Sequence, residues 1–580
     1  MTSTPPLPNG IDFDKEFRAQ IAKLTGGLSP KAFSSAWADW AAHLALSPSR
    51  QFELRQELIS RTADTWEFAL KAMTGAPVAP NDGFDGTSDP RFGKVDWSQW
   101  PFNVYARAYQ NSAALVNKAV EGVPGVDPYQ EKLVQFSVRM LLDASAPSNY
   151  LGSNPELLAL TQSEKGQNLV RGVKNWLKDL KSTLNGAPPE GTDAFEVGKT
   201  VAVTPGKVIF RNDLIELIQY SPTTKTTHAE PLLIVPAWIM KYYILDLSPK
   251  NSLVKFLVDQ GHTVFMISWK NPSPADRDVC MDDYLNKGFR AALDAVTAVV
   301  PNRKVHSVGY CIGGTLLSIG AAMLAHERDQ RLASVTLFAA QADFSEPGEL
   351  AYFINASQLA MLEATMYKKG VLESAQMGGA FALLRSKDLI WQPIINNYLK
   401  GQRDTMIDLM AWNADGTRMP YRMHTEYLNR LYLNNDLATN KFSLNGQVIT
   451  LSDISVPMFV VGTEADHVAP WTSVYKIGNL VRSDDYSFLL TSGGHNAGII
   501  AGPVHPKRHF RLKTKRLKAA HIGNQEWLQT TEKQQGSWWP AWQQWLQAHS
   551  SGQTKPPPMG APRKGYPSIG DAPGNFVKQR

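Results

Sequence analysis

Cysteine is nearly missing from this chain: two residues, Cys280 and Cys311, in 580. Two cannot build a disulfide framework, so a reducing compartment is expected. Charge is also sparse, with Asp, Glu, Lys and Arg at 19% against 43% hydrophobic residues and a formal net charge of +6. That composition excludes a disordered chain and gives no sign of a nucleic-acid partner. No uncharged apolar run approaches the length of a membrane span. The opening "MTSTPPLPNGIDFDKEF" lacks the basic-then-apolar order of a secretory signal. What remains is a large globular protein, expected in the cytoplasm without a transmembrane segment and too long for one ordinary domain.

What is present falls into blocks. Up to about residue 195 the chain reads as a helical N-terminal domain. In "SPKAFSSAWADWAAHLAL", Phe33, Trp37, Trp40 and Leu44 recur at three- and four-residue steps behind a Ser29-Pro30 start, the spacing of a helix with one apolar face. "WPFNVYARAYQNSAALVNKAV" and "NPELLALTQSEKGQNLVRGVKNWLKDL" predict further helices, and "TGAPVAPNDGFDGTSDPRFG" a loop. From about 196 to 580 strands alternate with helices. "KVIFRND" and "LIELIQYS" form an expected pair, followed by strands in "PLLIVPAW", "HTVFMISW", "KVHSVGYC" and "SVTLFAAQADF". Continuous apolar strands between helices imply an α/β domain whose mostly parallel sheet is covered on both faces. A helical insertion at about 347–445 interrupts the alternation and is expected as a cap over the carboxyl ends of the strands. "PMFVVGTEAD" and "YSFLLTSGGH" resume the sheet, and the Pro- and Gly-rich stretch at about 551–580 reads as an extended tail.

The stretch "VHSVGYCIGGT" carries the chemistry. Its spacing is that of a G-x-S-x-G nucleophile elbow, strand then sharp turn then helix, with Cys311 in the serine position and Gly309 and Gly313 flanking it. The helix that follows directs its N-terminal dipole at Cys311, which favours a thiolate. The α/β-hydrolase fold presents its triad in the order nucleophile, acid, histidine, the last two on loops after late strands. Asp466, in "GTEADHVAPW", and His495, in "LLTSGGHNAGI", occupy those positions. Asp343 and Glu464 are rival acids, and Asp466 is preferred for its place in the turn. His467, His306 and Cys280 read as packing or bystander residues. An oxyanion hole takes one backbone N–H from the residue after the nucleophile, Ile312, and a second from the loop "PAWIMKYY". That second donor is Ala237, Trp238 or Ile239, with Trp238 at the centre.

Sulfur in place of oxygen makes the acyl-enzyme a thioester. Acyl transfer from a thioester donor such as an acyl-CoA is then nearly isoenergetic, and the adduct stays activated toward an alcohol. At this point the chain resembles the class I, single-subunit polyhydroxyalkanoate synthases. The resemblance covers roughly residues 80 to 575 and rests on "GYCIGG", "DFSEPGEL", "NYLGSNPELL", "FEVGKTVAVTPGKVIF", "WNADGTRMP", "DHVAPW" and "GSWWP". It implies polymerisation of (R)-3-hydroxyacyl-CoA, of short chain length such as 3-hydroxybutyryl-CoA, with release of CoA. Cys311 would be acylated, His495 would be its base and Asp466 the acid partner. It also implies no bound cofactor or metal, CoA being carried by the substrate, together with a homodimer and association with the polyester granule surface. Two loops depart from the family pattern: "SGGHNAGII" where S-G-H-I-A-G is usual, and "PAWIMK" where P-P-W-I-N-K is usual. A cysteine hydrolase of the dienelactone-hydrolase type and a non-catalytic granule scaffold are the competing readings.

Overall fold

A computed structural model describes residues 12–25, 27–75, 89–93, 95–505, 507–516 and 522–580. Most of the loop expected at 74–93 lies outside them. Among the described residues, seven α-helices make the amino-terminal part: α1 (Phe13–Leu24), α2 (Pro30–Ala45), α3 (Pro48–Thr74), α4 (Phe102–Val120), α5 (Pro128–Ser145), α6 (Pro155–Ser163) and α7 (Gln167–Leu184). Proline at the first turn starts α2, α3, α5 and α6, where its missing N–H costs nothing. Asp127 and Asn154 cap α5 and α6 by accepting two backbone N–H groups each. The apolar stripe read in α2 does face inward. Trp37 and Trp40 meet edge to face at 5.2 Å, and the Trp40 indole donates to the Ala119 carbonyl.

This helical layer shares the edge of its core with the inserted segment. Its buried cluster of Phe92, Trp97, Tyr109 and Phe136 also contains Phe353 and Leu384 from the inserted helical segment. Arg139 pairs with Glu349 across the same seam, and Gln358 accepts from the Ser29 amide while donating to the Gly27 carbonyl.

The eleven strands of the main sheet are numbered here in chain order. They are β1 (Gly206–Arg211), β2 (Ile215–Tyr220), β3 (Leu232–Val235), β4 (Val264–Trp269), β5 (Val305–Tyr310) and β6 (Leu332–Phe338). Then follow β7 (Met458–Thr463), β8 (Asp485–Thr491), β9 (His509–Arg516), β10 (Lys533–Gln535) and β11 (Gly570–Asp571). Their spatial order is β10-β9-β8-β7-β6-β5-β3-β4-β2-β1-β11. The central run from β8 to β4 is parallel, and antiparallel strands extend it at both edges. Alternate residues of each central strand enter two separate cores. Leu233, Val235, Phe265 and Ile267 face one, and Leu232, Ile234, Val264 and Met266 face the other, as a sheet covered on both faces requires.

The insertion between β6 and β7 is mostly helical from Glu349 to Leu433, apart from a short strand pair, Val371–Leu372 against Met419–Pro420, and ends in a small hairpin, Ser443–Leu444 against Gln447–Val448. The last thirty residues differ from the extended tail expected of their composition. They lie docked along the sheet edge, where Gly570–Asp571 adds β11 to β1 and Gln553–Thr554 pairs with Thr227–His228. The cause lies on β2: Gln219 is buried and satisfies its amide on Pro558 and Gly560. Among the described residues no helix is long and apolar enough to cross a membrane.

Candidate active site

β5 delivers Cys311 into a turn that ordinary residues avoid, at φ 53° and ψ −128°. Such a backbone costs about 1–3 kcal/mol and persists only where its surroundings impose it. The surroundings here are glycines in contact. A Cβ on Gly309 would lie 2.4 Å from the Gly314 Cα, and one on Gly313 would lie 2.4 Å from the Val235 and Pro236 carbonyl oxygens. The helix Ile312–His326 therefore sits directly against β5 and β3. Its first amide, that of Ile312, falls in the turn where no intrahelical acceptor exists.

Asp466 follows β7 and His495 follows β8, on adjacent strand ends. His495 Nδ1 and Asp466 Oδ2 lie 2.7 Å apart. The His495 side chain is 13% exposed and that of Asp466 fully buried. The carboxylate is saturated: Oδ1 accepts from the Val468 and Ala469 amides, and Oδ2 accepts from the Thr463 hydroxyl and His495. Burial would raise the Asp466 pKa, but the charge of His495 and these hydrogen bonds hold it below the ordinary value. Burial opposes a charged His495 too. The Asp466 carboxylate and the neighbouring Cys311 sulfur outweigh burial and hold its pKa well above the ordinary imidazole value.

Several residues around this arrangement were not legible as functional. The Tyr310 ring stacks on His495 at 5.7 Å, and its hydroxyl donates to Asn496, a residue of the altered histidine loop. The "GSWWP" motif fastens the turn behind His495, since the Trp538 and Trp539 indoles donate to the Gly498 and Ile499 carbonyls. Their pairing with that turn, forty residues away, has no local sequence signal.

The rivals lie elsewhere. Asp343 accepts from the Ser345 amide and Asn435. Glu464 meets His509. His467 lines a separate polar cleft beside Arg139 and Glu349. His306 is buried against Ser334, and Cys280 binds Asp283.

Cys311 and Ile312 open on a cavity of about 480 Å³, the size of a drug-sized ligand pocket. Ile239 adjoins them from the "PAWIMK" loop, and the cap supplies Leu362, Met377 and Tyr427. Ala22 and Leu28, from the first helix and the turn after it, close one side. Trp238 packs its indole away from this space, against Trp269 and Tyr284. Among the described residues no three His, Cys, Asp or Glu are grouped to hold a metal ion.

A parallel sheet with a strained cysteine between strand and helix, and an Asp–His pair on later strand ends, defines an α/β-hydrolase-fold protein; the model "alpha/beta hydrolase fold" matches residues 230–501. The models "Poly-beta-hydroxybutyrate polymerase (PhaC) N-terminus" and "Poly-beta-hydroxybutyrate polymerase N terminal" match residues 88–257 and 11–50. The poly(3-hydroxyalkanoate) polymerase of Methylorubrum extorquens is 39% identical over 538 residues, covering 92% of this chain and 87% of the relative. The poly(3-hydroxyalkanoate) polymerase subunit PhaC of Cupriavidus necator is 33% identical, with 93% and 90% covered. Among solved structures, the monoacylglycerol lipase of Paleococcus ferrophilus aligns with a TM-score of 0.31 and 12% identity, over 48% of this chain and 90% of that one. The chain belongs to the poly(3-hydroxyalkanoate) polymerase family and is a polymerising acyltransferase.

Proposed function

We propose that the enzyme joins (R)-3-hydroxyacyl units, delivered as short-chain CoA thioesters such as 3-hydroxybutyryl-CoA, through a thioester on Cys311. The observation that carries this reading is a cysteine held at a strained elbow, on an apolar cavity, with His495–Asp466 beside it. The Cys311 thiolate attacks the CoA thioester. The resulting oxyanion is received by the Ile312 N–H and a backbone N–H of the 237–239 loop, Trp238 by the motif reading. The carbon–sulfur bond to CoA breaks and His495 protonates the departing thiolate. Neutral His495 then takes the proton of a hydroxyl from another unit, whose oxygen attacks the acyl-Cys311 carbonyl. An oxoester forms, and the thiolate and imidazolium return. CoA enters and leaves with the substrate, so no resident cofactor takes part. The apolar cavity keeps water from the acyl-enzyme while the next hydroxyl arrives. The proposed enzyme works in the cytoplasm at the granule surface, as a homodimer formed through the cap.

Saturation of Asp466 favours His495 as the base for both protons. A carboxylate with four hydrogen bonds and a lowered pKa is a poor base for an alcohol. Asp466→Asn should slow acylation and elongation together by about 10²- to 10⁴-fold, read as CoA release in single and multiple turnovers. Lost elongation with full acylation would assign the base role to Asp466.

The test of the reaction is incubation with 3-hydroxybutyryl-CoA, following free thiol and turbidity. Thiol with insoluble polymer is the expected result. Thiol without polymer marks a thioesterase, and neither marks a scaffold.

A further inference from the structure

Lys241 lies three residues after Trp238 in the proposed oxyanion loop, yet only 4% of it is exposed. Its ammonium donates to the main-chain carbonyls of Val577 and Gln579, at 3.0 and 2.5 Å. Burial, against the pull of Asp415 and with Arg418 and Arg580 nearby, draws its pKa down to about 8. A cation is costly to bury, so its acceptors hold it firmly or it is not buried at all. Glu216, on β2, is also buried and accepts from the Asn575 and Phe576 amides. The single turn Phe576–Lys578 therefore has a carboxylate on its first amides and an ammonium on its last carbonyls, each sign at the end the peptide dipoles prefer. Asn271 adds a contact from its amide to the Gln579 side chain.

The loop that Lys241 ends is also tied to the sheet and cap. Its Pro236, Trp238 and Lys241 carbonyls accept from the Trp269 indole, the Thr417 hydroxyl and the Trp412 indole, and Met240 bridges Gly416 of the cap. The Lys241 ammonium adds a tie to residues 575–579.

We propose that the 575–579 segment is a catalytic brace: by binding Lys241 it fixes the loop that supplies the second oxyanion N–H, making Lys241 a positioning residue for acyl transfer. This rests on the proposed oxyanion hole. A misplacement of about 1 Å at such a donor is enough to cost about 10²-fold.

The test is Lys241→Met in the full chain, beside Lys241→Gln, whose amide can still donate to both carbonyls. Two rates are compared: CoA release from 3-hydroxybutyryl-CoA, which needs the oxyanion hole, and Cys311 alkylation by iodoacetamide, a displacement at a saturated carbon that does not. Lys241→Met should lower kcat by ten- to a hundred-fold with KM within two-fold and alkylation unchanged, and Lys241→Gln should recover part of the loss. Unchanged kcat, or equal losses in both rates, would overturn the brace. If Lys241→Met does not fold, Val577→Ala trims the buried anchor of the segment (1% exposed) and should show the same split, smaller in size; its absence there also overturns the proposal. Wild-type protein that is alkylated but releases no CoA would instead defeat the functional reading beneath it.

Discussion

The two cysteines of this chain sit in similar surroundings and have opposite prospects. Both are partly buried and both precede a helix. Cys280 precedes an unbroken helical run from Met281 to Val299, and its thiol donates to the Asp283 carboxylate at 3.2 Å. Burial, with Asp283 accepting that hydrogen bond, pushes the Cys280 pKa up. At Cys311 the acid instead binds His495, whose pKa Asp466 and the sulfur hold well above the ordinary imidazole value, so the carboxylate meets the cysteine through a histidine. A helix start and a nearby carboxylate do not make a nucleophile. In the proposed reaction, a histidine interposed between them and a backbone strained toward a cavity set Cys311 apart.

Removing each sulfur tests this contrast most severely. Cys311→Ala should abolish CoA release, a loss of about 10⁴-fold or more, whereas Cys280→Ala should stay within about two-fold; equal losses would end the comparison. Next comes the histidine. His495→Gln should reduce CoA release by about 10³-fold and slow iodoacetamide labelling of Cys311 without altering that of Cys280, as peptide mass spectrometry would show. Smallest is the effect of pH on stability. His495 binds its proton more tightly folded than unfolded. Its contribution is therefore complete below about pH 6.5 and lost as pH rises through the higher folded value. Urea unfolding should show wild type losing more stability than His495→Gln does as pH rises above about 6.5.

How much of this was readable follows from where partners lie along the chain. Strands such as "LLIV" and "FMISW", buried on both faces, announce themselves by composition, and the elbow by its glycine spacing. The positions of Asp466 and His495 follow from the order of strands. The tail was misread because Pro and Gly suggest freedom, while its fastenings, Glu216, Gln219 and Lys241, lie more than 330 residues earlier. The cavity wall from Ala22 and Leu28 was equally hidden, since Gln358, which holds that turn, looks like any polar helix residue. Local patterns encode elements; contacts between distant segments leave no such mark.

The saturated Asp466 has one more consequence. With Nδ1 of His495 committed to that carboxylate, the other ring nitrogen is left as the single gate for every proton in the proposed cycle. The proton it gives to the departing CoA is replaced by the one it takes from the hydroxyl. Chain growth is thus neutral toward its medium, while hydrolysis of the same thioester would leave an acid behind. A weakly buffered solution in which CoA accumulates without acidifying would register, on a pH electrode, ester bonds being made one at a time.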